Sequence, residues 1–240
     1  MKRTMILTLL LVCSVFTSQG FAKEKEKPRI GVLRFTNNTH AGWWHGTAGT
    51  ELQDMLINEL ASTKAFRVLE RTELNKVLGE QQLSESGLVE ESTKVKPGRI
   101  KGARYLIAGT VSSFQEETSG DDAGVSMFGF HVGGKREKAY IAVDLKVIDT
   151  ETGEIVDTRT VEANSTGGGM RVSGGLGILS GSLGKQEKTP TGKAIRACII
   201  EISDYLECSL ANPDEECMKK YGAKEKKRKD KTRKSIELDE

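Results

Sequence analysis

In the first third of the chain, short apolar runs typical of strands alternate with apolar residues spaced as on helices. Residues 29–35 form a short β-rich run. From Thr47 onwards, apolar side chains recur at intervals of three and four residues, which is typical of an amphipathic helix. Residues 66–69 predict a second strand, and Thr72 is placed to cap a second helix. This succession of strand, helix, strand and helix predicts an α/β opening.

Two long strands are predicted in the middle of the chain, at residues 105–114 and 139–149. The second strand alternates apolar and polar side chains, as expected when one face of a strand is buried. Residues 149–153 have the composition of a tight turn, which pairs this strand with another at residues 155–161.

An amphipathic helix is the last apolar element. Thr191 follows Pro190 and is placed as the N-cap, and apolar side chains recur at helical spacing as far as Leu206. After Pro213 the chain is dense in charge. We therefore expect residues 212–240 to form a charged tail that is disordered or only loosely helical.

Two segments are longer than the ordinary connection of about 2–6 residues. They are residues 115–138, between the long strands, and residues 162–188, before the last helix. Both contain apolar residues at every second position. In the first these are Phe128, Phe130 and Val132, and in the second Met170, Val172, Leu176 and Ile178.

This alternation has two interpretations. A strand that crosses a bilayer needs about 9–11 residues, so each segment is long enough for a transmembrane hairpin. Because open sheet edges are not tolerated in lipid, several subunits would have to share one barrel. The alternative is a pair of flexible glycine-rich loops, which the glycines at 167–169 and the lack of aromatic residues in the second segment favour.

The N-terminus has the features of an export signal. A basic pair precedes an apolar run at residues 5–16, which is too short to cross a bilayer of ~30 Å as a helix. Small residues at the required positions predict cleavage after Ala22, so we expect residues 1–22 to be a signal peptide and 23–28 a charged segment. Lipidation at Cys13 is the alternative.

Export would bring the cysteines into an oxidising compartment. Cys208 and Cys217 flank a turn at Asn212–Pro213 that could bring them together in a disulfide. The alternative is that these two and Cys198 are unpaired, one of them acting as a small core residue.

Charge and composition exclude most other classes of protein. The 240 residues carry 36 Lys and Arg against 34 Asp and Glu, and ten of the basic residues lie within residues 218–234 beside only two acidic ones. The basic character therefore belongs to the tail. Only three histidines are present and no nucleophile lies beside a base, so we expect no enzymatic activity, no cofactor and no metal site. An exported chain is also not expected to bind nucleic acid, so the tail would contact anionic envelope surfaces or aid solubility.

Three blocks of sequence are specific enough to indicate a family. They are Phe66–Arg71 followed by Leu74, Val77 and Leu78; residues 102–111; and residues 141–149 leading into Thr152–Ile155. Together they resemble the CsgG family, the curli secretion channels of the bacterial outer membrane. The resemblance extends from Arg29 to about Leu206.

The resemblance implies an α/β (α+β) periplasmic domain at residues 29–211. It also implies that the segments 115–138 and 162–188 are transmembrane hairpins of a ring-shaped homo-oligomer, with a β-barrel shared between subunits. The family's channel is narrowed by the loop between the first strand and the first helix, which is residues 36–46 here. The resemblance places four residues in this constriction: Asn38, Thr39, Trp43 and Trp44. From the residues alone, the two tryptophans could equally pack on the domain.

The expected function is therefore that of an outer-membrane secretion channel that passes unfolded polypeptide without an energy source. Its partners would be copies of the same chain, the exported polypeptide and accessory proteins of the envelope. The alternative is a soluble periplasmic interaction module with the same fold and no pore. Two departures from the family keep it open: the usual member has an N-terminal lipidated cysteine, and the second segment here is short and lacks an aromatic girdle.

Overall fold

A six-stranded mixed β-sheet is the framework of the domain. The structure is a computed structural model that describes residues 26–120, 135–166 and 189–235. The strands are β1 (Arg29–Val32), β2 (Thr36–Asn37), β3 (Arg67–Val68), β4 (Tyr105–Gly120), β5 (Lys135–Asp149) and β6 (Ile155–Thr166). They lie in the order β3-β1-β4-β5-β6, and β2 also pairs with β4. The pairs that involve β1 or β2 are parallel, whereas β4, β5 and β6 are antiparallel.

Four α-helices accompany the sheet in the described residues. They are α1 (Ala48–Thr63), α2 (Leu74–Glu85), α3 (Pro190–Leu206) and α4 (Glu215–Lys234), with a short 3₁₀ turn at Glu91–Thr93 and a π-helical turn at Glu207–Ala211. The predicted α/β class is therefore confirmed at the level of one open sheet with helices. Among the described helices, none is long and apolar enough to span a membrane.

The hydrophobic core lies between one face of the sheet and the helices α1 and α3. Val143, Leu145 and Val147 of β5 are almost completely buried, as are Leu56 of α1 and Ile202 of α3. Their alternation along the strand and their helical spacing on the helices place them on facing surfaces. Burial of each such side chain stabilises the fold by about 1.5–3 kcal/mol.

The starts of α2 and α3 differ from the predicted ones. The N-cap of α3 is Thr189, whose Oγ1 accepts a hydrogen bond from Gly192 N at 3.1 Å. Pro190 thus occupies the first helical turn, where its fixed φ and its missing N–H cost nothing. Thr191 instead donates to Glu116 Oε1 at 2.8 Å. Thr72 does not cap α2 either, since the residue before that helix is Glu73.

The charged tail is helical, so the expectation of a disordered or loosely helical tail is wrong for residues 215–234. Asp214 caps the N-terminus of α4, and its carboxylate accepts hydrogen bonds from Glu216 N and Cys217 N. Tyr221 is 4% exposed and attaches the helix to the domain.

Candidate functional site

The strands β4, β5 and β6 are longer than predicted and continue into the two unusual segments. The β4–β5 ladder runs from Tyr105↔Asp149 to Gly120↔Lys135, interrupted only by a bulge between Val111 and Ser113. The strand β6 pairs with β5 as far as Thr166↔Lys138. We call this end of the sheet, at Gly120, Lys135 and Thr166, the hairpin end, and the opposite end, at Tyr105, Asp149 and Ile155, the base.

The two ends of the first predicted insertion, and the beginning of the second, are therefore antiparallel strands. Residues 115–120 and 135–138 belong to β4 and β5, and residues 162–166 to β6. The side chains proposed to face lipid lie outside the described residues: Phe128, Phe130, Val132, Met170, Val172, Leu176 and Ile178.

The loop that carries the tryptophans consists of residues 38–47, and we call it the Trp loop. Phe35, shortly before this loop, is anchored in the core. Its ring is 1% exposed and lies on Gly109 of β4, where a Cβ atom would meet ring atoms at 2.7 and 2.8 Å. Its backbone N–H donates to Gly49 O at 3.1 Å, and a Cβ on Gly49 would collide with the carbonyl oxygen of Phe35. These two glycines allow β4 and α1 to close around Phe35.

Trp43 and Trp44 are half-buried and pack against the hydrophobic core. The ring of Trp43 contacts Phe114 of β4 edge-on at a centroid distance of 5.7 Å, and Trp44 at 5.5 Å. The Nε1 of Trp43 is buried without a hydrogen-bond partner among the described residues. The Trp loop thus covers β4 beyond the point where β2 ends, on the side of the hairpin end.

Asn37 organises the Trp loop, and the sequence reasoning missed it. Its Oδ1 accepts hydrogen bonds from the N–H of Thr39 at 3.0 Å and from Thr39 Oγ1 at 2.7 Å, and Thr39 Oγ1 in turn accepts from Ala41 N at 3.2 Å. The side chain of Asn38 is exposed, while its N–H donates to Val111 O at 2.9 Å. Asn is a common turn residue because its side chain can bond the backbone two residues further on, and this could have indicated the role of Asn37.

The other end of the Trp loop is tied to α1. Thr47 Oγ1 donates to Glu51 Oε1 at 2.8 Å and lies 3.0 Å from His45 Nδ1. The guanidinium of Arg34 donates to the carbonyl oxygen of Gly46. Both ends of the loop are therefore held by hydrogen bonds.

A cation–aromatic stack attaches α4 to the edge of the sheet. The guanidinium of Arg159 lies 4.7 Å from the ring centroid of Tyr205 and 4.8 Å from that of Tyr221, and it donates to Tyr221 O at 3.2 Å. Tyr205 donates its hydroxyl proton to the carboxylate of Asp157 at 2.7 Å. Burial raises the pKa of both tyrosines well above the ordinary value, so both rings stay neutral.

Two further contacts attach α4 to α3 and to the π-helical turn that follows it. Cys208 and Cys217 form a disulfide across the turn between them, and Lys224 Nζ lies 2.6 Å from Glu201 Oε1. The third cysteine of the described residues, Cys198, is 1% exposed, and burial raises the pKa of its thiol.

An exposed apolar surface lies on α2 and the chain that follows it, within residues 74–100. Leu88 is 83% exposed, and Val77, Leu78, Leu83, Val95 and Ile100 are each at least 40% exposed. We call these six side chains the α2 surface. No group of His, Cys, Asp or Glu in the described residues is arranged to hold a metal ion.

Two of the sequence blocks that suggested a family meet at the base. Arg104 precedes β4, and its guanidinium lies 2.8 Å from Asp149 Oδ2 at the end of β5. Asp149 is buried, and its other carboxylate oxygen accepts from Glu151 N in the following turn. Both blocks therefore support the fold.

Comparison with known proteins identifies a family and bacterial relatives. The family model described as curli production assembly/transport component CsgG matches residues 14–236. A protein of Neisseria meningitidis serogroup B, named as a candidate lipoprotein, is 32% identical over 108 residues, which are 45% of this chain and 43% of that protein. The curli production assembly/transport component CsgG of Escherichia coli K12 is 25% identical over 108 residues, 43% of this chain and 39% of that protein. The matched region thus spans less than half the length of these relatives.

Solved structures are similar at low sequence identity. The hypothetical protein CT253 of Chlamydia trachomatis aligns with a TM-score of 0.44 and 14% identity, over 79% of this chain and 100% of that chain. The PelC dodecamer of Paraburkholderia phytofirmans aligns with a TM-score of 0.38 and 13% identity, over 74% of this chain and 87% of that chain.

Proposed function

Because the chain belongs to the CsgG family of curli production assembly/transport components, we propose that it is the subunit of a homo-oligomeric channel in the outer membrane. The channel passes unfolded polypeptide from the periplasm without an energy source. The domain at residues 29–211 faces the periplasm, and the two hairpins that contain residues 121–134 and 167–188 span the bilayer.

The observation that carries this proposal is the length of the antiparallel ladder. The strands β4, β5 and β6 continue to Gly120, Lys135 and Thr166, beyond the ends predicted for them at residues 114, 139 and 161. The sequence beyond them continues with apolar residues at every second position, which suits strands with one lipid-facing side. Since each subunit offers only four such strands, a closed barrel requires several copies.

The α2 surface supports the ring. Six large apolar side chains within residues 74–100 are exposed in the single chain. Large apolar side chains exposed in this number favour an interaction site. We assign it to contact with a neighbouring copy of this chain, and Leu88, which is 83% exposed, is the residue that such a contact would bury most.

The Trp loop supplies the constriction in this proposal. It lies beside β4 toward the hairpin end, so copies arranged around an axis would bring their loops together below the barrel. Trp43 contacts Phe114 of β4, whereas the ring contact of Trp44 is with Trp43. We therefore assign Trp44, with the exposed Asn38, to the pore lining and Trp43 to its support; Thr39 shapes the turn.

Membrane extraction of charge variants tests the hairpins. Leu176→Arg puts a basic side chain on the proposed lipid face and should cost about 2–4 kcal/mol near the bilayer midplane. Ser173→Arg, on the opposite parity, is the matched control and should be tolerated. We expect the wild-type chain and Ser173→Arg to stay in outer membranes washed with alkaline carbonate, and Leu176→Arg to be lost. Release of the wild-type chain would refute the channel and favour the periplasmic interaction module.

Conductance of the reconstituted channel tests the constriction. Trp44→Ala should raise the single-channel conductance because it removes a large ring from every subunit. Trp44→Phe keeps an aromatic ring and should change the conductance less. Equal conductance of Trp44→Ala and the wild type would remove Trp44 from the pore.

A further inference from the structure

The C-terminal half of α4 carries a dense positive charge. Residues 226–234 contain seven Lys and Arg and a single acidic residue, Asp230. Arg228 forms an ion pair with Glu225, one turn earlier on the same helix, with a nitrogen to oxygen distance of 2.7 Å. Lys227, Lys231 and Lys234 follow one another at helical spacing on an exposed face that also includes Asp230. We call these three residues the lysine face.

The direction of α4 places the lysine face at a defined end of the domain. The helix begins beside the disulfide, just after Ala211 and Asn212, which lie next to Lys27 and Pro28 before β1 and thus near the base. Its next contact is between Tyr221 and Arg159 of β6. Further along, Arg228 comes near Glu162 of β6: its pKa is raised by its hydrogen bond to Glu225 and also by Glu162. The helix α4 therefore runs parallel to β6, from the base toward the hairpin end.

Simple lengths show how far α4 reaches. From Arg228 to Lys234 the helix rises about 9 Å, at about 1.5 Å per residue. From Glu162 to Thr166 the strand rises about 13 Å, at about 3.3 Å per residue. Since Arg228 lies near Glu162, Lys234 is therefore within about one helical turn of the level of Thr166, where β6 enters the proposed membrane segment.

The cluster is also held rigidly. The stack of Arg159 on Tyr221, the Lys224–Glu201 ion pair and the disulfide fix the first half of α4 on the domain. The lysine face is therefore presented in one orientation, beside the sheet at its hairpin end. A flexible tail of the same composition would not be held at that level.

We propose that the lysine face binds the anionic phospholipid headgroups of the bilayer leaflet that faces the domain. This inference rests on the proposed function, because the hairpin end faces a bilayer only if the hairpins span it. Lysines near an anionic surface each strengthen binding by about fivefold, and a row at the water–lipid boundary is a suitable arrangement for phosphate groups. The contact would set the height of each domain below the membrane.

Vesicle binding by the full chain tests the proposal. Flotation would compare vesicles of phosphatidylcholine with vesicles that also contain phosphatidylglycerol, at low and at high salt. The variant Lys227→Gln/Lys231→Gln/Lys234→Gln removes three charges from the lysine face. The matched control, Lys27→Gln/Lys101→Gln/Lys146→Gln, removes three exposed charges nearer the base.

We expect the wild type and the control to prefer anionic vesicles, with a preference that salt weakens. The lysine-face variant should lose about a hundredfold in binding to anionic vesicles and keep the wild-type binding to phosphatidylcholine. Equal binding of this variant and the wild type to anionic vesicles would overturn the proposal, as would a wild type without anionic preference. A carbonate wash of the same vesicles tests the hairpins separately. If carbonate extracts the wild-type chain from the vesicles, the channel is refuted, whether or not the lysine face binds anionic lipid.

Discussion

The close approach of Phe35 to Gly109 predicts that Gly109→Ala destabilises the domain. The new Cβ atom would lie 2.7 and 2.8 Å from Phe35 Cδ1 and Cζ, whereas ordinary contacts begin at 3.4 Å. Because Phe35 Cε1 would lie closer still, the ring would have to move by about 1 Å in a core where it is 1% exposed. Because protein cores are close-packed, this movement must be transmitted to its neighbours.

The expected magnitude comes from two opposing effects. Overpacking of a well-packed core costs about 1–3 kcal/mol. Replacing Gly by Ala also restricts the unfolded chain, which returns about 0.4–1 kcal/mol. The φ of Gly109 is not positive, so alanine brings no backbone strain. We therefore expect a net loss of about 1–2 kcal/mol in the free energy of unfolding.

Urea unfolding of the purified chain, followed by circular dichroism, measures this loss. The matched control is Gly222→Ala in α4, where a Cβ atom meets nothing within 4 Å. It should leave the chain as stable or raise its stability by up to about 1 kcal/mol, because alanine is the better helix former.

A second-site change tests whether the Phe35 ring is the cause. In a Phe35→Leu background the ring is gone, so adding Gly109→Ala should cost less than it does in the wild type. A Gly109→Ala chain as stable as the wild type would refute the reasoning. An undiminished cost in the Phe35→Leu background would also do so, since the clash would then lie elsewhere.

Three further predictions concern the attachment of α4. Tyr221→Ala should cost about 3–5 kcal/mol of local stability and speed tryptic cleavage of the helix, whereas Tyr221→Phe keeps the stacked ring and should match the wild type. Cys208→Ser/Cys217→Ser should lower stability by about 2.5 kcal/mol by releasing the loop between them, and a reducing agent should then have no further effect. The pKa of Glu225 is lowered, first by its hydrogen bond from Arg228, so its contribution is complete above the ordinary value of 4.5 and is lost as the pH falls through the lowered pKa. Glu225→Gln should therefore weaken α4 at neutral pH and match the wild type in strong acid, as followed by hydrogen exchange; an equal effect at both pH values would contradict this sign.

The sequence by itself determined the elements whose apolar side chains repeat locally. The alternation from Ile141 to Val147 predicts β5, and the helical spacing up to Leu206 predicts α3; both are confirmed. It also carried the family resemblance, which the family match over residues 14–236 confirms. These features depend on neighbours a few residues apart, so they can be read without tertiary contacts.

Only the tertiary structure determined that the tail forms a helix packed on the domain and how the Trp loop is organised. Residues 215–234 have almost no apolar face, so local pattern gave no reason to expect a docked helix. The helix α4 is attached by Arg159, which is 62 residues away from Tyr221 in the chain. In the same way, Phe35 is held by Gly109 and Trp43 by Phe114. Contacts between residues so far apart become visible only when the sheet brings its strands together, because no local periodicity records which surfaces will meet.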